Sequence, residues 1–193
     1  MSRRQLFVDV SQNIAPLGRN VEADERRTMT ASLAEFRQIV EAESIEGIEV
    51  SRNPRDNPIC RLSYDENLRC IEVVWRKYAT SAQLRFLHEV ILEMLSRYGA
   101  DKILGDDSDL PIVHAEDQRW ITEDWFPRAR AAGLRAIATS VSMTFFGKVA
   151  IGRIHAKVAE QIPIRDFHNI HLARSWLGEF GKSERRSGEG SPH

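Results

Sequence analysis

The chain has 193 residues, of which 42% are hydrophobic and 28% are charged, and this length suits one domain with a hydrophobic core and flanking extensions. Its 27 lysines and arginines nearly balance its 28 acidic residues, which leaves a net charge of -1. Such a balance does not favour a nucleic acid or an anionic membrane surface as the partner.

The sequence also bears on the cellular compartment. No apolar run approaches the roughly 20 residues needed to span a bilayer, and the first apolar segment is too short for a secretory signal. We therefore expect a cytoplasmic protein with no integral membrane association. Its two cysteines, Cys60 and Cys70, are expected to remain reduced thiols.

Three segments are predicted from composition. Residues 1–55 form an N-terminal extension, in which a capping-box pattern predicts a short amphipathic helix over about residues 30–43. A loop rich in asparagine, aspartate and proline then marks the start of a domain over residues 56–180. The polar residues 181–193, rich in glycine and serine, are expected to be a disordered tail.

The domain begins with strands and continues with alternating helices and strands. Residues 59–63 and 69–75 predict an antiparallel hairpin, and a capping box at Thr80 and Gln83 opens a helix that ends at Gly99. The remaining elements are a strand over 102–106, a helix within 112–133, a strand over 134–140, a helix over 143–158, an edge strand over 162–167 and a helix after Asn169. The order β-β-α-β-α-β-α-β-α predicts an α/β fold with a mostly parallel sheet flanked by helices and an N-terminal hairpin.

The helix within residues 112–133 is the most distinctive part of the chain. Ile121, Trp125 and Ala129 recur every four residues and form an apolar stripe that is expected to pack on the sheet. Pro127 interrupts this pattern, because proline lacks a backbone donor and crowds the carbonyl four residues earlier. A kink or a break is therefore expected there.

A family resemblance follows from these segments. They are the strand IEVVW, a helix opening at Thr80, an acidic turn near Asp106, the segment EDQRWITEDWFPRARAAG at 116–133 and the segment FHNIHLARSWL at 167–177. Together they span residues 62–177 and resemble the SpoIIAA-like group of bacterial proteins, which is related to STAS and SEC14-type domains. The resemblance implies a STAS-like fold and no established reaction.

The same resemblance raises the question of a phosphorylation switch. In the anti-sigma-factor antagonists of the STAS group, a serine at the start of the second helix is phosphorylated and switches partner binding. Ser108 is the nearest serine here, but residues 106–111 read DDSDLP instead of Asp-x-Ser-Gly, and Ser108 precedes the predicted helix. The departure weighs against transferring the switch to this chain.

No motif in the sequence specifies a reaction. The acidic turn at residues 106–109 has oxygen ligands that suit Mg²⁺ or Ca²⁺, although a solvated turn explains the same residues. His155, His168 and His171 suit zinc but are more typical of surface or capping positions. Because a nucleophile elbow and a phosphate-binding glycine loop are both missing, we expect no catalytic residues, no metal and no cofactor, and we favour a non-catalytic protein over an enzyme.

Two functions are therefore kept open. The first is a non-catalytic interaction or ligand-binding domain of the STAS/SpoIIAA-like kind, acting in bacterial signalling or regulation on a protein partner or as a homodimer. The alternative is a SEC14-like protein that binds a small apolar ligand or a lipid, for which a cavity of several hundred Å³ is expected. The candidate residues for such a surface or pocket are Asp106, Ser108, His114, Trp120, Phe126 and Phe146.

Overall fold

The computed structural model describes residues 5–9, 47–51, 58–108, 113–141 and 145–188. The helix predicted over about residues 30–43 lies outside these ranges. The final helix reaches Gly188, so it runs beyond residue 180 into the segment for which the sequence predicts a disordered tail.

Seven strands of the described chain form one sheet, and their spatial order is the order of the sequence. They are β1 (Gln5–Asp9), β2 (Gly47–Ser51), β3 (Cys60–Asp65), β4 (Cys70–Trp75), β5 (Lys102–Asp107), β6 (Ala136–Val141) and β7 (Ile164–Phe167). Strands β4 to β7 are parallel, β3 is antiparallel to both of its neighbours, and β1 is parallel to β2. The predicted α/β class and the antiparallel hairpin are confirmed, and two strands from the N-terminal segment extend the sheet.

The helices lie on both faces of this sheet. They are α1 (Ser81–Tyr98), α2 (Ala115–Trp120), a π-helical segment (Ile121–Trp125), α3 (Phe126–Ala131), α4 (Phe145–Ala159) and α5 (Ile170–Gly188). Helix α1 begins and ends as predicted, because Thr80 and Gln83 form a reciprocal capping box and Gly99 ends the helix with a φ of 59°.

Alternation along the strands divides the core in two. Ile71 and Ile103 belong to the larger cluster, which α1, the π segment, α3 and α4 cover. Their chain neighbours Cys70 and Leu104 face the other side of the sheet, and they belong to a smaller cluster under α5. The larger cluster contains the candidate site described below.

The two cysteines lie at opposite ends of the hairpin. Cys60 pairs with Trp75 across the ladder, whereas Cys70 pairs with Asp65. Both are buried free thiols, and burial raises the pKa of each. This register keeps the two sulfur atoms apart, so neither thiol can form a disulfide with the other.

The break considered for Pro127 does not occur, and the helix instead contains a π turn just before this residue. Helix α2 continues through the π segment into α3, and the backbone N–H of Phe126 donates to the carbonyl of Ile121, five residues earlier. Because such a turn closes over five residues, Ile121 and Phe126 face the same side, together with Trp125. All three are buried, and all three line the same cavity.

Candidate functional site

A partly open cavity of about 110 Å³ lies between the sheet and the helices of the larger cluster. Its floor comes from β4 to β7 and its roof from α1, the residues around the π segment, and α4. Apolar side chains make most of the wall, among them Val73, Ile103 and Ile137 from the strands and Ile121 and Phe126 from the helical roof. The cavity is therefore suited to an apolar guest.

Polar groups from β5, β6 and α4 meet at one side of the cavity, which we call the polar floor. Asp107, Thr139 and His155 all line the cavity. Gly105 leaves room for them, because a methyl group on its Cα would lie 3.0 Å from the Thr139 Cγ2 atom and 3.3 Å from the Asp107 Oδ1 atom. The lack of a side chain at this position lets the Asp107 carboxyl lie close against the sheet.

Asp107 is the most unusual of these groups. The residue is only 9% exposed, and within the described ranges its carboxyl has neither a hydrogen bond nor an ion pair. Burial raises its pKa to about 7; His155 opposes the rise, while the nearby carboxylates Asp106 and Asp166 add to it. The Asp107 carboxyl therefore titrates near neutral pH.

Asp166 has the opposite character although it lies beside the same floor. Its Oδ1 atom accepts a hydrogen bond of 2.8 Å from the Thr139 hydroxyl and lies 2.6 Å from His155 Nδ1. That ring nitrogen has no hydrogen bond of acceptable geometry, so its contact with Asp166 is mainly electrostatic. Burial opposes ionisation of Asp166, but the contacts with His155 and Thr139 prevail and lower its pKa.

His88 forms part of the helical roof and is a neutral, structural residue. Its Nδ1 atom lies 2.8 Å from the carbonyl of Leu84, which can only accept, so this nitrogen carries the proton. Burial lowers the pKa of His88 to about 4. The ring lies among Trp75, Trp120 and Trp125, and the Trp125 indole donates a hydrogen bond of 2.6 Å to the His88 carbonyl.

The aromatic candidates from the sequence are only partly brought together here. Phe126 lines the cavity and is 1% exposed. Trp120 is not among the described residues of the wall; it is half-buried between His88 and Arg85, whose guanidinium lies 5.4 Å from the indole. The side chain of Phe146 lies outside the described residues.

The three polar candidates lie near the carboxyl edge of the sheet. Ser108 is exposed, and its N–H donates to Asp106 Oδ1 at 3.3 Å. His114 is also exposed, and its Nε2 atom lies 3.5 Å from the Tyr78 hydroxyl. Alternation along β5 directs Asp106 to the face opposite that of Asp107, so Asp106 is not part of the cavity floor.

The predictions from the sequence did not identify the polar floor. They ended the strand at Asp106 and assigned Asp107 to a solvated turn, whereas Asp107 is the buried last residue of β5. The signal was present in the period of two, because Ile103, Gly105 and Asp107 alternate onto one face. No comparable pattern connects His155 to Asp166, which come together only through the tertiary packing of α4 against β7.

The described ranges contain neither a metal-binding cluster nor a membrane-spanning helix. No group of three or more His, Cys, Asp or Glu side chains is placed there to hold a metal ion. In the same part of the chain, no helix combines the length and the apolar character needed to cross a membrane.

The segment that carries the SpoIIAA-like resemblance supplies much of this roof. Ile121, Trp125 and Phe126 belong to it, and Asp107 lies in the acidic stretch that precedes it. The family assignment itself stays a prediction. Comparisons of the chain with protein-family models, with curated proteins and with solved structures find no match.

Proposed function

We propose that this domain binds a small, mainly apolar molecule in the cavity between the sheet and its helical roof. The observation that supports the proposal is the combination of an apolar wall with a few polar groups converging on one side, which is the usual composition of a ligand site. The proposal follows the ligand-binding function predicted from the sequence and assigns the ligand to this cavity.

The volume limits the size of the ligand. A cavity of about 110 Å³ is smaller than engineered apolar cavities of about 150 Å³ that bind benzene, so the enclosed part of a ligand comprises roughly five or six non-hydrogen atoms. Lipid chains need several hundred Å³. The proposed ligand is therefore a small molecule, or one short apolar group of a larger molecule that extends through the opening.

Toluene is a suitable first probe, because its ring is apolar like the wall and its methyl group can extend into the opening of the cavity. At ten times its dissociation constant, toluene is expected to stabilise the protein by about 1.4 kcal/mol, which corresponds to a rise in Tm of roughly 3–5 °C. Differential scanning calorimetry measures the rise. Methyl resonances of wall residues such as Ile103 and Ile137 should shift in the same titration.

A cavity-filling variant tests whether the probe enters this cavity. Ile137→Phe adds volume at a wall residue that is 8% exposed, so it should abolish the effect of toluene. Leu177→Met is the matched control, because it changes the core under α5 with little change in volume and should leave binding intact. Equal toluene binding in the wild type and in folded Ile137→Phe would overturn the proposed site.

Contact with a protein partner or with a second copy of the chain is the second candidate function. The exposed groups near the carboxyl edge favour it, since Tyr78 is 46% exposed and adjoins His114, with Ser108 also exposed on that edge. If this edge joins two copies, sedimentation equilibrium should show a dimer that Tyr78→Ala weakens at least fivefold. A monomer at all concentrations would argue against self-association.

A further inference from the structure

The polar floor of the cavity offers carboxyl acceptors that no described residue satisfies. Asp107 contributes two carboxyl oxygens that accept no hydrogen bond from any described residue. The Thr139 hydroxyl donates to Asp166, and His155 directs its Nδ1 atom to the same carboxylate. A ligand that supplies hydrogen-bond donors would satisfy these acceptors.

The charged groups around the cavity also favour a ligand that donates hydrogen bonds. No lysine or arginine lines the cavity among the described residues. Two carboxyl groups, Asp107 on the wall and Asp166 behind Thr139, face one imidazole, that of His155. The floor is thus short of positive charge, and this favours a cationic guest over an anionic one.

We propose that the ligand of this cavity is a small apolar amine, whose ammonium group lies against Asp107 and whose hydrocarbon part occupies the apolar wall. This inference rests on the proposed function and specifies the chemical class of its ligand. A carboxylate ligand would face Asp107 and Asp166 with like charge, and a pure hydrocarbon would leave the Asp107 carboxyl without a partner.

Binding of such an amine should depend on pH in a defined direction. Burial raises the Asp107 pKa to about 7, whereas an alkyl ammonium group keeps its proton well above neutral pH. Because the ammonium pairs with the ionised carboxyl, affinity should rise about tenfold between pH 6 and pH 8.

Other titratable groups around Asp107 must be considered. They are Asp106 beside it on β5, Asp166 on β7, His155 on α4, the Cys60 thiol on β3 and His88 on the roof. The pKa of Cys60 is raised by burial and that of His88 is lowered to about 4, so neither titrates between pH 6 and pH 8. Removal of the Asp107 carboxyl alone separates its contribution from that of His155.

The decisive measurement is calorimetric titration with benzylamine and with its neutral isostere ethylbenzene. At pH 8, benzylamine is expected to bind at least tenfold more tightly than ethylbenzene. Asp107→Asn should remove most of that advantage and the pH dependence, while ethylbenzene still binds. Asp106→Asn is the matched control, because Asp106 lies next in the chain but on the opposite face, and it should preserve the preference for the amine.

The two probes distinguish failure of the amine proposal from failure of the proposed function. Equal binding of both probes, or an unchanged benzylamine affinity in Asp107→Asn, would overturn the amine proposal and leave the apolar site standing. Failure of both probes to bind would overturn the proposed function and the amine proposal with it. Binding of benzylamine that persists in Ile137→Phe would place the amine elsewhere and would also overturn the proposal.

Discussion

Replacement of Asp117 by alanine is expected to lower the free energy of unfolding by about 2–4 kcal/mol. Asp117 lies in the first turn of α2 and is 1% exposed. Its carboxylate accepts a hydrogen bond of 2.6 Å from the Ser81 hydroxyl and another of 2.9 Å from Arg85 Nε. One buried side chain therefore joins the helical roof to the first turn of α1.

The size of the loss follows from the groups that remain. In Asp117→Ala, the Ser81 hydroxyl and the Arg85 guanidinium both lose their acceptor, and an uncompensated charge near the interior is costly. Because the Arg85 side chain is 29% exposed, water can replace part of the lost interaction, and we expect less than the loss for a fully buried pair. The Arg85 contact with the Trp120 ring should also weaken.

Equilibrium unfolding in urea measures this loss, and two other variants calibrate it. Asp117→Asn keeps the shape and one acceptor oxygen, so its loss should be intermediate. Asp124→Ala removes an exposed carboxylate that pairs with Arg128 on the surface of the same helical region, and it should cost less than 1 kcal/mol. Similar losses for Asp117→Ala and Asp124→Ala would show that Asp117 does not join the helices in the way described.

The sequence was most informative where a short segment determines its own structure. The capping box at Thr80 and Gln83, the glycine after α1 and the alternation in β4 each depend on neighbours within a few residues, and each prediction is confirmed. Strands β1 and β2 are different, because they are short and their stability depends on a sheet formed mainly by distant residues. Local pattern gave little indication of them.

In the candidate site, too, the local sequence predicts some features and tertiary packing determines others. Phe126, a candidate from the sequence, lines the cavity, but a regular α-helix would have placed it away from the stripe of Ile121 and Trp125. The π turn corrects that angle, and it depends on how the backbone accommodates Pro127. The relation of His155 to Asp166 depends on the packing of α4 over β7, which no local period encodes.

Replacement of Asp107 by asparagine is expected to change how stability depends on pH. Burial raises the pKa of this carboxyl from the ordinary value of 3.8 to about 7, so the folded state binds the proton more strongly than the unfolded state does. The associated stability is complete below pH 3.8 and is lost as pH rises through 7. The full loss is at most about 4 kcal/mol.

Asp107→Asn removes this titration while keeping the shape of the side chain. Without ligand, the variant should therefore gain stability relative to the wild type as pH rises from 5 to 8, by about 2–3 kcal/mol over that interval. Urea unfolding at a series of pH values measures the difference between the two proteins. Taking the difference largely cancels the contribution of distant titratable groups that the two proteins share.

Asp106, a neighbouring carboxyl outside the cavity, provides the control for this pH-dependent difference in stability. Asp106→Asn should show a much smaller difference, because Asp106 is only half-buried and lies on the opposite face. If the stability difference between Asp107→Asn and the wild type stays constant from pH 5 to pH 8, Asp107 does not titrate as a buried, unpartnered carboxyl. Benzylamine should restore part of the lost wild-type stability at pH 8, because its ammonium group stabilises the ionised carboxyl that the empty cavity penalises.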